Sequence, residues 1–173
     1  MPRGPIYRDG MVNVPPGLSF DVSVPLTAQR NWQRRWRDVL HAREAIAEEY
    51  DSGAIRVDHL TRCIETFFKT CHELIDWIDE STSLDAKTYA KSSPTLLLCN
   101  AAAQTAKHYK RNQADAITVH VVELFGDQPG RVRAEVKWTS KRSNGTADAL
   151  ALADRCIAEW NNFFQLHQVD PNA

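Results

Sequence analysis

The 173-residue chain has almost no net charge: 21 Lys and Arg stand against 22 Asp and Glu, for a formal −1. That balance argues against bulk electrostatic binding of nucleic acid and leaves only a local patch to do it. No apolar run approaches the roughly 20 residues that a membrane span needs. The opening MPRGPIYRDG has neither the apolar centre of a secretory signal nor the look of a transit peptide. The expectation is therefore a cytoplasmic protein that does not enter a membrane. Cys63, Cys71, Cys99 and Cys156 form no C-x-x-C pair, which removes the usual spacing for zinc or dithiol chemistry. Cys63 and Cys71, on one predicted helix, would sit about 12 Å apart by helical rise, too far to bridge. All four read as small core residues in a reducing compartment. G-x-S-x-G, a phosphate-binding Gly-rich loop and H-E-x-x-H are also missing. Neither a metal nor a small-molecule cofactor is expected.

What is present is a pattern of alternating periods. With 43% hydrophobic and 25% charged residues, the composition is that of an ordinary globular domain. Residues 1–26 carry five prolines, at positions 2, 5, 15, 16 and 25, and read as an extended arm. Within it Asp9-Gly10 suits a turn between Tyr7 and Met11. Leu18, Phe20, Val22 and Val24 alternate with polar residues as a short strand packed on the body. Residues 27–173 read as one helical domain. A first helix, capped by Thr27, runs to about Tyr50 with Trp32, Trp36, Val39 and Tyr50 on its apolar stripe. A second covers about Ile55 to Ile78, followed by a polar loop from Asp79 to Ser92. Ser93-Pro94 opens a third, which ends near Arg111-Asn112. The period then changes to two, predicting an antiparallel β-hairpin at about 115–138. Asn144-Gly145-Thr146 should cap a last helix over about 147–167. The predicted fold is α+β and α-dominated, roughly a four-helix bundle with the hairpin before the last helix.

Chemistry-bearing residues collect in two places. Arg30, Arg34, Arg35 and Arg37 form a basic patch early in the first helix, with Glu44, Glu48 and Glu49 toward its end. Both signs oppose the helix dipole, so some other use for the patch, such as a phosphate or an acidic partner, is worth testing. Trp32 and Trp36 interleave with these arginines, a mixture that suits single-stranded nucleic acid, although both also fit the core stripe. On the second helix His72 and Asp76 stand one turn apart, a spacing that can orient an imidazole for acid–base work. On the third, Asn100, Gln104, Lys107 and His108 fall on one stripe. Lys110 and Arg111 need no function, because cations complement the dipole in a last turn. The hairpin and its following loop add Arg131, Arg133, Lys137, Lys141 and Arg142, which read as a solvated edge.

CHELIDWID, residues 71–79, and LLLCNAAAQTAKHYKR, residues 96–111, resemble a pattern in a loose group of small uncharacterised bacterial proteins. There a His-Leu-x-Asp-Trp-like helix precedes one bearing Ala-Asn-x-x-Lys-His. In this chain Glu73 intervenes, and Asn100 lies farther from Lys107-His108 than in that pattern. Trp160-Asn-Asn-Phe163 is similar to their ending. A weaker resemblance is to HEPN-type helical domains, whose Arg-x4–6-His signature is matched in count by Arg34 or Arg35 with His41. The match lies on the first helix, whereas that family carries the signature on a later one. The resemblance implies a metal-independent ribonuclease or a partner in a toxin–antitoxin or defence module.

The leading expectation is a small binding or interaction protein of a bacterial or phage defence or toxin–antitoxin locus. It would work through a protein partner or self-association, with RNA left open as a ligand. The rival is a metal-independent endoribonuclease. In it His72 or His108 would act as acid–base, Asp76 would orient the imidazole, Asn100 would share the pocket, and Lys107 or the arginines would hold phosphate.

Overall fold

The computed structural model of the protein describes residues 7–8, 11–12, 31–52, 56–107, 117–128, 131–141 and 144–172. The expected strand at Leu18 to Val24, the Thr27 cap, Arg30 and the helix end at His108 to Asn112 lie outside the described residues. In the arm, β1 (Tyr7–Arg8) and β2 (Met11–Val12) pair antiparallel, Tyr7 opposite Val12, the pairing expected from Asp9-Gly10 in the sequence.

The fold is α+β and α-dominated. α1 (Trp32–Asp51) begins where Asn31 Oδ1 accepts the N–H groups of Gln33 at 2.8 Å and Arg34 at 3.3 Å. The cap of α1 is thus Asn31: the helix starts its apolar stripe at Trp32, and Asn31 satisfies two donors that helical bonds leave open. α2 (Val57–Ser81) runs about a turn beyond Ile78, where Thr82 closes it with backbone and hydroxyl bonds to the Ile78 carbonyl. The polar stretch expected as a loop contains α3 (Ala86–Ser92), capped by Asp85 Oδ1 on the Thr88 N–H at 2.9 Å. Only Ala86 and Ala90 of α3 are buried, too small an apolar signal to register as a period. α4 (Pro94–Lys107) opens as expected, with Ser93 Oγ accepting the Leu96 N–H at 3.3 Å. α2 lies between α1 and α4, and α5 (Ala149–Leu166) packs against all three.

The hairpin β3 (Thr118–Gln128) and β4 (Arg131–Thr139) is antiparallel, with Val122 opposite Val136 and Leu124 opposite Ala134. Val132, Ala134 and Val136 face the core, in step with the alternation in the sequence. β5 (Asn144–Asp148) then adds a third strand beside β4. The segment expected to be a loop ending in a helix cap is therefore a strand, and the cap of α5 is Asp148, whose Oδ1 accepts the Ala151 N–H at 2.9 Å. Gly145 lies opposite Trp138, and a Cβ there would stand 2.5 Å from the indole. Glycine thus lets the Trp138 ring fold over the edge strand.

One anchor ties the sheet to the bundle, and a second joins two of the helices. β5 pairs with β4 only as far as Glu135, and one residue farther the edge of β4 is taken by a side chain. Tyr50 Oη accepts the Ala134 N–H at 3.0 Å and reaches the Asp148 carboxylate at 3.0 Å. α1 is fastened to α5 by Arg43, whose Nε donates to Asp154 at 2.8 Å. The core is aromatic at this end, with Phe164 5.0 Å from Trp32 and 5.1 Å from Trp36 between ring centroids. Both tryptophans are buried, so the core accounts for them without a nucleic-acid role. Among the described residues no helix is long and apolar enough to cross a membrane.

Candidate functional site

The basic patch on α1 divides. Arg35 turns inward: one terminal nitrogen stands 3.4 Å from Asp38 and the other 3.6 Å from Glu73, while its guanidinium lies 4.6 Å from the Trp77 ring. Its Nε is buried without a hydrogen-bond partner among the described residues. Arg35 therefore joins α1 to α2, and the aromatic face plus carboxylates hold it there. Arg34 and Arg37 remain exposed and enter no ion pair among the described residues. Arg34, Arg37, His41, Glu44 and Glu48 are all exposed and follow one another in steps of three, four, three and four. On a helix this spacing is a single narrow stripe. It is basic at the N-terminal end and acidic at the C-terminal end, with His41 between.

Between α2 and α4 the structure brings together His72 and Gln104, whose side-chain nitrogens lie 3.5 Å apart. Asn100, one turn before Gln104, has its Oδ1 buried and without a hydrogen bond among the described residues. Asp76 is exposed and enters no ion pair or side-chain hydrogen bond with them. Lys107 closes α4, and its side chain, like all of His108, lies outside the described residues. The grouping is a half-buried amide–imidazole contact, with the carboxylate one turn away facing solvent. On the sheet, Arg133 covers the Tyr50 ring at 5.5 Å and Lys137 stands 3.9 Å from Glu135. These basic groups are spent on local contacts.

Two clusters are absent from any reading by spacing. Glu49 is buried at 5% exposure near the end of α1. Its Oε1 meets the Arg56 guanidinium and, at 3.0 Å, His59 Nδ1. The same nitrogen lies 3.7 Å from the Cys63 sulfur. Thiol and carboxylate thus converge on one ring atom and cannot relay a proton through the imidazole, which would need both nitrogens. Burial also pushes the Cys63 thiol up, helped by the Glu49 charge, the wrong direction for a nucleophile.

The second cluster joins α2, α4 and α5 at the centre of the bundle. The sulfurs of Cys71, Cys99 and Cys156 lie within 4.8 Å of one another, all buried. Cys99 also lies 3.7 Å from the Phe68 carbonyl. Hydrogen bonds from the Cys156 and Cys99 thiols draw the Cys71 pKa down. Hydrogen bonds to Cys156 and Cys71, with burial, hold Cys99 well above the ordinary thiol range, and the bond to Cys71, with burial, does the same for Cys156. Each cysteine was legible as a core position, but their convergence was not, because nothing in their spacing links three separate helices.

No known protein family, curated protein or solved structure matches the chain.

Proposed function

We propose that this chain is a small interaction protein that pairs with a second copy of itself along α1. The observation that carries the reading is the exposed stripe Arg34, Arg37, His41, Glu44, Glu48. Laid antiparallel on its own copy with His41 at the two-fold axis, it sets Arg34 against Glu48 and Arg37 against Glu44. The stripe is about 21 Å long at 1.5 Å per residue, and a two-fold contact must be self-complementary in this way. A nucleic acid running along α1 would instead meet Glu44 and Glu48 after only a few phosphates, so the stripe favours protein over RNA. Exposed ion pairs are individually weak and screened by salt. The association should therefore be modest and should weaken as ionic strength rises.

The test is a charge swap read by sedimentation equilibrium at low salt. R34E/R37E makes the stripe wholly acidic and E44R/E48R makes it wholly basic. Each variant alone should be monomeric, and an equimolar mixture should associate. A wild-type chain that stays monomeric at every concentration, or an R34E/R37E variant that associates as wild type does, overturns the reading.

A second reading, a metal-independent endoribonuclease, draws on the orphan Asn100 Oδ1 beside the His72–Gln104 pair. A buried acceptor without a donor is a place for a ligand N–H or O–H. On this reading His72→Ala abolishes cleavage of single-stranded RNA by the purified chain. Intact RNA after incubation with wild type, or unchanged cleavage by the variant, removes it.

A further inference from the structure

We propose that Cys71, Cys99 and Cys156 form a three-sulfur site for a trivalent thiophilic metalloid, arsenite being the form that enters it. The donor set is sulfur alone: among the described residues no histidine or carboxylate joins the three within the 4.8 Å that relates them. Such soft donors select soft centres. With bonds of about 2.3 Å, the length of a zinc–thiolate bond, three sulfurs around one atom stand about 4 Å apart or closer. The three thiols already lie within 4.8 Å, so a small inward movement completes the triangle.

Coordination number and charge choose the occupant. Zinc takes four ligands in a protein site, and no fourth ligand from a described side chain is in place. Three thiolates around Zn(II) would leave one net negative charge, and around Cu(I) two. The sulfurs sit in the same buried core as Leu74, Leu152 and Phe163, each at 0% exposure, where an uncompensated charge is costly. A trivalent centre with three thiolates is neutral. Arsenite enters as uncharged As(OH)3. Each S–H proton leaves with one hydroxyl as water, three As–O bonds are replaced by three As–S bonds, and arsenic stays trivalent. Neither a charge nor an electron is transferred into or out of the core.

The second observation is Trp160. Its Nε1 is fully buried with no hydrogen-bond partner among the described residues, and the indole is one of the groups that draw the Cys71 pKa down. A buried N–H without an acceptor gains a good one where a neighbouring sulfur becomes a bound thiolate. Access to the site needs a local opening between helices, the kind of sub-global motion that folded proteins undergo.

The test uses the reduced full chain. Titration with arsenite should load one arsenic per chain by native mass spectrometry and raise the unfolding midpoint, because the fold gathers the three thiols and so binds it more tightly than the unfolded chain does. C63A should bind as wild type does. C71S, C99S and C156S should each bind about 100-fold more weakly or worse, the factor that one added intramolecular attachment supplies. Should those variants fail to fold, X-ray absorption on the loaded wild type decides, with three sulfurs and no oxygen expected around arsenic. No loading, loading that C63A abolishes, or fewer than three sulfurs overturns the proposal. Zn(II) or Cu(I) filling the site in place of arsenite would overturn the choice of metalloid.

Discussion

Trp160→Ala should lower the free energy of unfolding by about 3–5 kcal/mol, the range for truncating a large buried aromatic. The side chain is 0% exposed. It meets Phe163 edge-on at 5.6 Å between centroids and stacks on Phe164 at 6.2 Å. Phe164 in turn holds Trp32 and Trp36 of α1, so the void opens where α5 grips the rest of the bundle. Packed cores relax only partly around such a void. Urea unfolding checks this: the midpoint should fall while the slope is kept, because the surface exposed on unfolding hardly changes. Trp160→Phe should cost less, since it leaves a smaller void and also removes an N–H that has no acceptor. A loss below about 1 kcal/mol for the alanine variant, ordinary for a surface site, would mean that this aromatic cluster does not hold the bundle.

Tyr50→Phe should cost about 1–3 kcal/mol, the penalty for stranding buried polar groups. The hydroxyl takes the place of the missing strand at Ala134, which is itself at 0% exposure. Without it the Ala134 N–H has no neighbour on that edge, and Asp148 loses a donor while still capping α5. The pH dependence is a separate mark of the same contact. Burial, followed by the Asp148 charge, raises the Tyr50 pKa well above its ordinary value of 10.0. Above that ordinary value the unfolded chain gives up the phenol proton while the folded chain keeps it. The folded state then binds more protons, so its stability falls as pH rises. The stabilisation is whole below pH 10 and is lost on the alkaline side. Tyr50→Phe should remove that part of the alkaline slope and leave neutral-pH unfolding cooperative. An unchanged slope in the variant would show that Tyr50 does not carry it.

Features whose cause lies within a few residues were legible from the chain. The apolar stripe through Trp32 and Trp36 is buried as its spacing demands, Ser93-Pro94 opens α4, and the alternation of Val132, Ala134 and Val136 faces inward. Features that need a distant partner were not. Asn144 to Asp148 has no apolar alternation and becomes a strand only because β4 offers it an open edge. The sequence sets Arg35 beside Arg34 and Arg37 in one basic patch, yet Glu73 and Trp77 on another helix draw it away. His72 stands near Gln104 of α4, while Asp76, its neighbour by spacing, faces solvent.

The sequence by itself determined the class of fold, the order of its long elements and the basic-to-acidic order of charge along α1, because periodicity, capping and helical spacing are local properties of the chain. Tertiary structure alone decided which arginine is sequestered, where Tyr50 replaces a strand, and that three thiols from three helices share one place. Those outcomes depend on packing between elements far apart along the chain, and spacing within any one of them carries no record of it.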